Sequence, residues 1–126
     1  MAAIGDSFLL PKPDQEVSHL WVLITTPDAA GDAVMVNLTT QRPYSDTTVV
    51  FQSGDHPFIR HPTVVNYSDA RLVNAAKLDA AIKAGICRQL APVSPVVLNQ
   101  IQAGLRRSPF TPNKIKAEYR MRTGEL

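Results

Sequence analysis

Apolar and β-branched residues are concentrated in short runs over the first 73 positions, and each run is bounded by Pro, Gly, Asp or Ser. The runs are too short for typical helices and are rich in Val, Ile, Thr and aromatic residues, which favours buried strands. Prolines at residues 11–14 remove backbone donors and should end the first strand. Strands two and three are expected to pair as an antiparallel hairpin. The predicted strands are residues 5–10, 19–25, 33–40, 47–51 and 63–67, with residues 70–73 as an extension of the fifth.

The period of the apolar pattern then changes from that of strands to that of helices. Residues 75–84 predict a first helix, which Gly85 should end. Ser94 and Pro95 predict the N-cap and first turn of a second helix. The second helix carries an apolar face that should pack on the strands. That face consists of Val97, Leu98, Ile101 and Leu105.

A third helix is predicted from Thr111 and Pro112, which repeat the same pair of residue types. Short strands without intervening helices exclude a doubly wound parallel sheet. We therefore predict an α+β fold, with a small antiparallel barrel at about residues 5–73 and two or three short helices at about residues 75–122. Residues 1–126 are expected to form a single domain.

Composition adds three expectations. No apolar run approaches the roughly 18 residues needed to cross a bilayer, and the first residues lack a basic segment followed by an apolar stretch. We therefore expect a cytoplasmic protein with no membrane partner. Cys87 is the only cysteine, which excludes an internal disulfide and a thiolate zinc cluster, so it should be a small buried apolar residue.

Basic residues are concentrated near the end of the chain. Residues 101–126 contain 6 basic and 2 acidic side chains, whereas residues 1–100 contain 7 basic and 9 acidic ones. A basic segment on a nearly neutral body can steer a polyanion such as RNA. A solvated helix face rich in Lys and Arg has the same composition. The basic segment is therefore compatible with an RNA partner but does not by itself indicate one.

Reactive side chains cluster in residues 54–61, a predicted turn that contains two of the three histidines. RNA cleavage without a metal needs a base for the 2′-OH proton, an acid for the 5′-oxygen, and a cation for the phosphorane charge. Imidazole suits both proton roles because it exchanges protons near neutral pH. His56 and His61 could supply the acid and the base, and Arg60 the cation.

The same stretch allows other interpretations. Side chains 56 and 61 would point to opposite faces of a regular strand, so Pro57 or Pro62 must break the strand for them to converge. His19, Asp55, His56 and His61 could instead bind a metal, although no helical histidine pair fixes two ligands in advance. Glycine and proline here are also typical of an ordinary turn at a sheet edge.

Four stretches carry a resemblance to a known family. The first three stretches resemble the opening strands of the PemK/MazF-like toxins. The resemblance lies in their order and in the Thr pair that ends the third stretch. The fourth resembles the late strand of that family and the short helix after it. The stretches are residues 5–10, 19–25, 34–40 and 64–73, the last followed by Lys77 and Leu78.

The resemblance implies an SH3-like barrel and a metal-independent, sequence-selective endoribonuclease without a cofactor. Its partners would be single-stranded RNA, a cognate antitoxin and a second copy of the chain. The catalytic Thr of the family, at the end of the third strand, would correspond to Thr39 or Thr40. Ser18 and His19 replace the Arg-Pro pair of the family, so His19 would take the place of its catalytic Arg. The alternative is a non-catalytic module on the same barrel that binds protein or nucleic acid.

Overall fold

The computed structural model describes residues 1–11 and 18–124. The described part contains six strands and three helices. Residues 12–14 of the predicted break after the first strand lie outside the described residues. The elements are β1 (Ser7–Pro11), β2 (Ser18–Leu23), β3 (Asp32–Thr40), β4 (Val50–Phe51), β5 (Thr63–Asn74), α1 (Ala75–Lys83), β6 (Arg88–Leu90), α2 (Pro95–Arg107) and α3 (Asn113–Thr123).

The strands form one antiparallel sheet in the order β4-β5-β3-β2-β1-β6. The sheet curls into half of a barrel, with β4 and β6 at its edges. The α+β class, the antiparallel sheet and the three helices are confirmed. Within the described residues, no helix has the length and apolar character to cross a membrane.

Both faces of the sheet are covered, which explains the continuous apolar runs of β2 and β3. Successive strand side chains point to opposite faces, so Leu20 and Val22 pack in one core cluster while Trp21 and Leu23 pack in another. The first cluster includes the apolar residues of α2 and α3, and the second includes those of α1. Cys87 is buried in the second cluster, as predicted.

Two strand predictions need correction. Only Val50–Phe51 of the predicted fourth strand pairs with β5. The preceding residues turn instead, because the Asp46 carboxylate accepts hydrogen bonds from the backbone N–H (2.9 Å) and hydroxyl (2.6 Å) of Thr48. The sequence did not predict β6, because Arg88 and Gln89 are polar. Both residues are exposed in the structure. It is a strand because it pairs with β1, with Ser7 opposite Leu90.

The second helix begins as predicted, because the Ser94 hydroxyl accepts a hydrogen bond from the backbone N–H of Val97 at 3.2 Å. The third helix begins at Asn113 instead of directly after Thr111. The Thr111 hydroxyl does not cap α3 and donates to the Leu105 carbonyl at 2.8 Å. This side-chain hydrogen bond therefore ties the loop between the two helices to α2.

Gly104 allows α2 to lie close to the sheet. A Cβ atom at this position would overlap Tyr67 Oη and lie 2.5 Å from Val49 Cγ2. The Tyr67 hydroxyl already donates to the Ile101 carbonyl at 2.7 Å, and burial raises its pKa. The space between α2 and β5 is therefore filled.

Gly104→Ala should lower the free energy of unfolding by about 1 to 3 kcal/mol through overpacking, although alanine is favoured in a helix by about 1 kcal/mol. The midpoint of urea unfolding measures the difference. Asn99→Ala, at an exposed position of the same helix, is the control and should leave the midpoint nearly unchanged or raised. A higher midpoint for Gly104→Ala would show that α2 is not packed this closely.

Candidate functional site

A cleft of about 230 Å³ lies where β2 begins, β3 ends and β5 begins. Antiparallel register produces this meeting point, because Leu20 lies opposite Leu38 and Thr40 lies opposite Thr63. Four of the six predicted site residues line the cleft. They are His19, Thr39, Thr40 and His61.

The central contact of the cleft joins Thr40 Oγ1 to His61 Nε2 at 2.8 Å. Two hydrogen bonds of the adjoining backbone position His61: the Thr63 hydroxyl donates to its carbonyl (2.9 Å), and the Gln41 N–H donates to the Pro62 carbonyl (3.0 Å). The imidazole is exposed and the hydroxyl is half-buried. The two groups are therefore hydrogen-bonded to each other and accessible to a molecule bound in the cleft.

His19 reaches the cleft from β2, where it lies opposite Leu10 of β1. It is half-buried, one residue away from the buried Leu20. A second imidazole on the wall formed by β2 allows proton donation and proton acceptance by different residues. The sequence alone could not establish this convergence, because the two histidines are 42 positions apart along the chain.

His56 lies elsewhere and is only 2% exposed. Its Nδ1 accepts a hydrogen bond from the Phe58 N–H at 3.0 Å, so Nε2 carries the proton and donates to the Ala91 carbonyl at 2.7 Å. Nε2 also lies 3.3 Å from Ser7 Oγ. Nδ1 therefore stabilises the turn itself, and Nε2 holds the turn against Ser7 of β1 and Ala91, which follows β6. The part of His56 in proton transfer stays a prediction, and the geometry favours His61.

Arg60 lies outside the first cleft and lines a neighbouring concavity of about 510 Å³. This second concavity also contains His56 and the exposed Arg88 of β6. It shares Phe58 and His61 with the first cleft. Arg60 therefore lies beside the first cleft and does not line it.

The metal interpretation requires a cluster of ligands, and the part of the chain that the structure describes contains none. No three His, Cys, Asp or Glu side chains come together there in a way that could hold an ion. Asp55 accepts a hydrogen bond from the Gln52 N–H at 2.7 Å and so stabilises its own turn. The alternative set of His19, Asp55, His56 and His61 is not assembled.

A third concavity, of about 260 Å³, was missed by sequence reasoning. Tyr44 and Phe110 line it, together with Thr39 of the first cleft and Asp46. Partial burial raises the pKa of Asp46, but hydrogen bonds from Ser108 and Thr48 outweigh this effect and hold the pKa below its usual value. The sequence does contain one sign that these two aromatic residues are exposed. Both lie in proline-containing loops instead of apolar strands.

Cys87 takes no part in these concavities. It is buried, and its burial raises the pKa of the thiol, which disfavours the nucleophilic thiolate.

Neither a family model nor a curated protein matches this chain. The geometry of the three concavities is therefore the basis on which a function is inferred.

Proposed function

We propose that this protein is a cytoplasmic, metal-independent endoribonuclease similar to the PemK/MazF-like toxins, with an SH3-like arrangement of its curled sheet. One observation carries the proposal: Thr40 Oγ1 contacts His61 Nε2 at 2.8 Å in a cleft that also contains His19 and Thr39. Two imidazoles and a hydroxyl are suited to bind a phosphodiester and to move its protons.

In the proposed reaction the Nε2–H of His61 donates to Thr40 Oγ1, and the free Nδ1 of His61 accepts the proton of a ribose 2′-OH. The 2′-oxygen forms a bond to phosphorus, and the bond between phosphorus and the 5′-oxygen breaks. His19 protonates the departing 5′-oxygen, so one proton is taken up and one is released. The hydroxyl of Thr40, beside His61, donates a hydrogen bond to a non-bridging phosphate oxygen, where negative charge develops in the transition state.

The assignment of His19 follows from what replaces the family pattern. The resembling toxins have an Arg-Pro pair at the start of the second strand, and this chain has Ser18 and His19 there. An arginine is always charged and serves mainly to stabilise charge, whereas a histidine can also donate a proton. The proposal therefore gives this chain an acid where the family has a permanent cation.

Single-stranded RNA is the proposed substrate because its backbone is free to place the 2′-OH in line with the phosphate. A homodimer and restraint by a cognate antitoxin belong to the same proposal, and both come from the resemblance. Arg60, exposed beside His61, would attract the RNA phosphates.

The proposal is tested by incubating the purified protein with single-stranded RNA in the presence of EDTA. Cleavage is expected, with a bell-shaped dependence of the rate on pH that reflects one acid and one base. A DNA strand of the same sequence should stay intact because it lacks the 2′-OH. Mapping the RNA ends after induction of the protein in bacteria should give the same sites as the purified protein.

A non-catalytic binding module is the second candidate. Exposed aromatic and arginine side chains around the cleft favour it, because such groups bind ligands without reacting with them. Binding of RNA without cleavage under any ionic condition would support this candidate and contradict the nuclease. Cleavage that needs an added divalent ion would contradict the proposed mechanism but not the substrate.

A further inference from the structure

The sheet curls so that the loop after β4, at one edge, reaches β6 at the other edge. The concavity of about 510 Å³ lies at this seam, and we call it the seam pocket. The loop from β4 to β5 supplies five of its lining residues, and β6 with the residue after it supplies three. His56 joins the two sides, because its Nε2 donates to the Ala91 carbonyl at 2.7 Å.

The turn that forms the first side of the seam pocket is held by hydrogen bonds. The Gly54 N–H donates to the Ile59 carbonyl at 3.1 Å, and the Ile59 N–H donates to the His56 carbonyl at 2.9 Å. The Phe58 N–H donates to His56 Nδ1 at 3.0 Å. Ile59 is only 4% exposed, whereas Phe58 and Arg60 on either side of it are exposed. The burial of Ile59 therefore anchors the turn and leaves its two neighbours at the surface.

Two arginines from opposite edges of the sheet line the seam pocket. Arg60 belongs to the loop before β5 and Arg88 belongs to β6, and both are exposed. Among the described residues, the lining contains no carboxylate and no ion pair involves either guanidinium. Two like charges in one concavity repel each other, and a bound anion relieves that repulsion. Guanidinium groups suit phosphate in particular, because their fixed donors match its oxygens.

The charge of the two arginines indicates a phosphomonoester as the bound group, in preference to a phosphodiester. A phosphomonoester carries about 1.5 to 2 negative charges at pH 7, because its second pKa is about 6. Each phosphodiester inside an RNA strand carries only one negative charge. Two guanidinium groups without a carboxylate therefore match the monoester more closely.

The remaining part of the seam pocket is apolar and contains an exposed aromatic ring. Phe58 is 45% exposed, and Pro57 and Leu90 line the same concavity. A phenylalanine on a hydrogen-bonded turn offers a flat face on which a nucleobase stacks. The volume of about 510 Å³ lies within the range of roughly 300 to 1,000 Å³ that is typical of small-molecule sites. The seam pocket therefore offers a surface for a base and two cations for its phosphate.

We propose that the seam pocket binds a nucleotide that ends in a phosphomonoester. The base stacks on Phe58, and Arg60 and Arg88 bind the terminal phosphate. A free nucleoside 5′-monophosphate and the 5′-phosphorylated end of an RNA strand share this chemistry. The inference goes beyond the proposed cleavage and does not depend on it, because Phe58 and the two arginines take no part in its proton transfers.

Isothermal titration calorimetry of the full chain with adenosine 5′-monophosphate tests the proposal. Saturable binding of one nucleotide per chain is expected. Adenosine lacks the phosphate and ribose 5-phosphate lacks the base, so each should bind at least roughly 10-fold more weakly. Inorganic phosphate that binds as tightly as the nucleotide would show a simple anion site and would contradict the role of Phe58.

Phe58→Leu tests the stacking contact. It should weaken binding of adenosine 5′-monophosphate by roughly 5-fold to 100-fold, the range expected when a stacked base loses its aromatic partner. Phe58→Tyr keeps the ring and should bind like the parent. Phe110→Leu makes the same change at an exposed phenylalanine outside the seam pocket and should also bind like the parent.

Arg60→Gln and Arg88→Gln test the phosphate contacts. Each should weaken binding of adenosine 5′-monophosphate by roughly 10-fold to 100-fold, the effect of losing one charge-assisted hydrogen bond. Binding of adenosine should change little, because it has no phosphate. Arg120→Gln removes an exposed positive charge of α3, outside the seam pocket, and is the matched control. All these side chains are exposed, so the midpoints of urea unfolding should stay nearly unchanged.

Two 2′-fluoro RNA strands of one sequence, with and without a 5′-phosphate, distinguish the two sources of the ligand. These strands have no 2′-OH nucleophile, so binding is measured without cleavage. If the phosphorylated strand alone displaces the nucleotide, and does so below the concentration at which the free nucleotide competes, the ligand is an RNA end. If the free nucleotide binds more tightly than either strand, the ligand is the nucleotide itself.

Three results would overturn this inference. They are a parent protein that does not bind adenosine 5′-monophosphate, Phe58→Leu and arginine variants that bind it as tightly as the parent, and equal displacement by both strands. The last result would mean that internal phosphodiesters are sufficient for binding. Failure of the proposed function gives a different result, because natural RNA would then stay intact while the nucleotide still binds.

Discussion

His61→Asn is expected to lower the rate of RNA cleavage by roughly 10²-fold to 10⁴-fold, the usual contribution of a general base. Asparagine is polar and of similar size, but it cannot accept and release the proton. The fold should persist because the His61 side chain is exposed. Single-turnover rates on a defined RNA strand, together with unfolding midpoints of both proteins, measure the effect.

His56→Asn is the matched control for this prediction. His56 joins Phe58 N–H to the Ala91 carbonyl inside the protein, so its loss should lower stability. The rate per folded molecule should change far less than in His61→Asn, and both limbs of the pH profile should remain. A large loss of rate in His56→Asn with unchanged stability would instead support the assignment made from the sequence.

Combining His61→Asn with Thr40→Ala should be little worse than the poorer single variant, because groups that act in one step are not additive. The two side chains are in direct contact at 2.8 Å. If His61→Asn keeps nearly full activity while His19→Ala or Thr40→Ala abolishes it, the base is not His61. The reaction would then depend on β2 and β3, as the toxin resemblance implies.

Ile101→Ala should lower the free energy of unfolding by about 2 to 5 kcal/mol, the range for removing a buried aliphatic side chain. Ile101 is fully buried between α2 and the sheet, and its carbonyl accepts a hydrogen bond from the Tyr67 hydroxyl. Alanine would leave a cavity in the main core cluster. Urea unfolding with an unchanged slope would show that the loss lies in stability alone.

Leu98→Ala is the control in the same helix. The apolar period of α2 predicts similar costs for the two positions, but Leu98 is only partly buried at the edge of the core cluster. Its truncation should therefore cost clearly less than that of Ile101. Equal costs, or a cost below about 0.5 kcal/mol for Ile101, the size of an ordinary surface change, would contradict the packing of α2 described above.

Much of the fold could be predicted because the relevant information is local. The β-branched runs predicted β2 and β3, the change of period predicted α1, and Ser94 with Pro95 marked the start of α2. Capping and alternation involve residues a few positions apart, so one sequence contains them. The burial of Cys87 followed from its residue type.

Other features depend on strands and loops that are distant in the sequence. β6 is a strand only because β1 offers it an edge, and its own residues are mostly polar. The two histidines of residues 54–61 have different surroundings, since one is held against Ala91 and the other contacts Thr40. Spacing along the chain could not distinguish a buried hydrogen-bonded histidine from an exposed one.

The sequence by itself determined which residue types are available: three histidines, a Thr pair at the end of a strand, and a run of short apolar strands. Only the tertiary structure decided which of them meet. His19 and His61 share a cleft because antiparallel register brings the start of β2, the end of β3 and the start of β5 together. Tyr44 and Phe110 share a concavity, 66 positions apart in the chain, because β5 and the loop after α2 form its walls. Such contacts follow from pairing and packing energies summed over the whole sheet, which no local pattern contains.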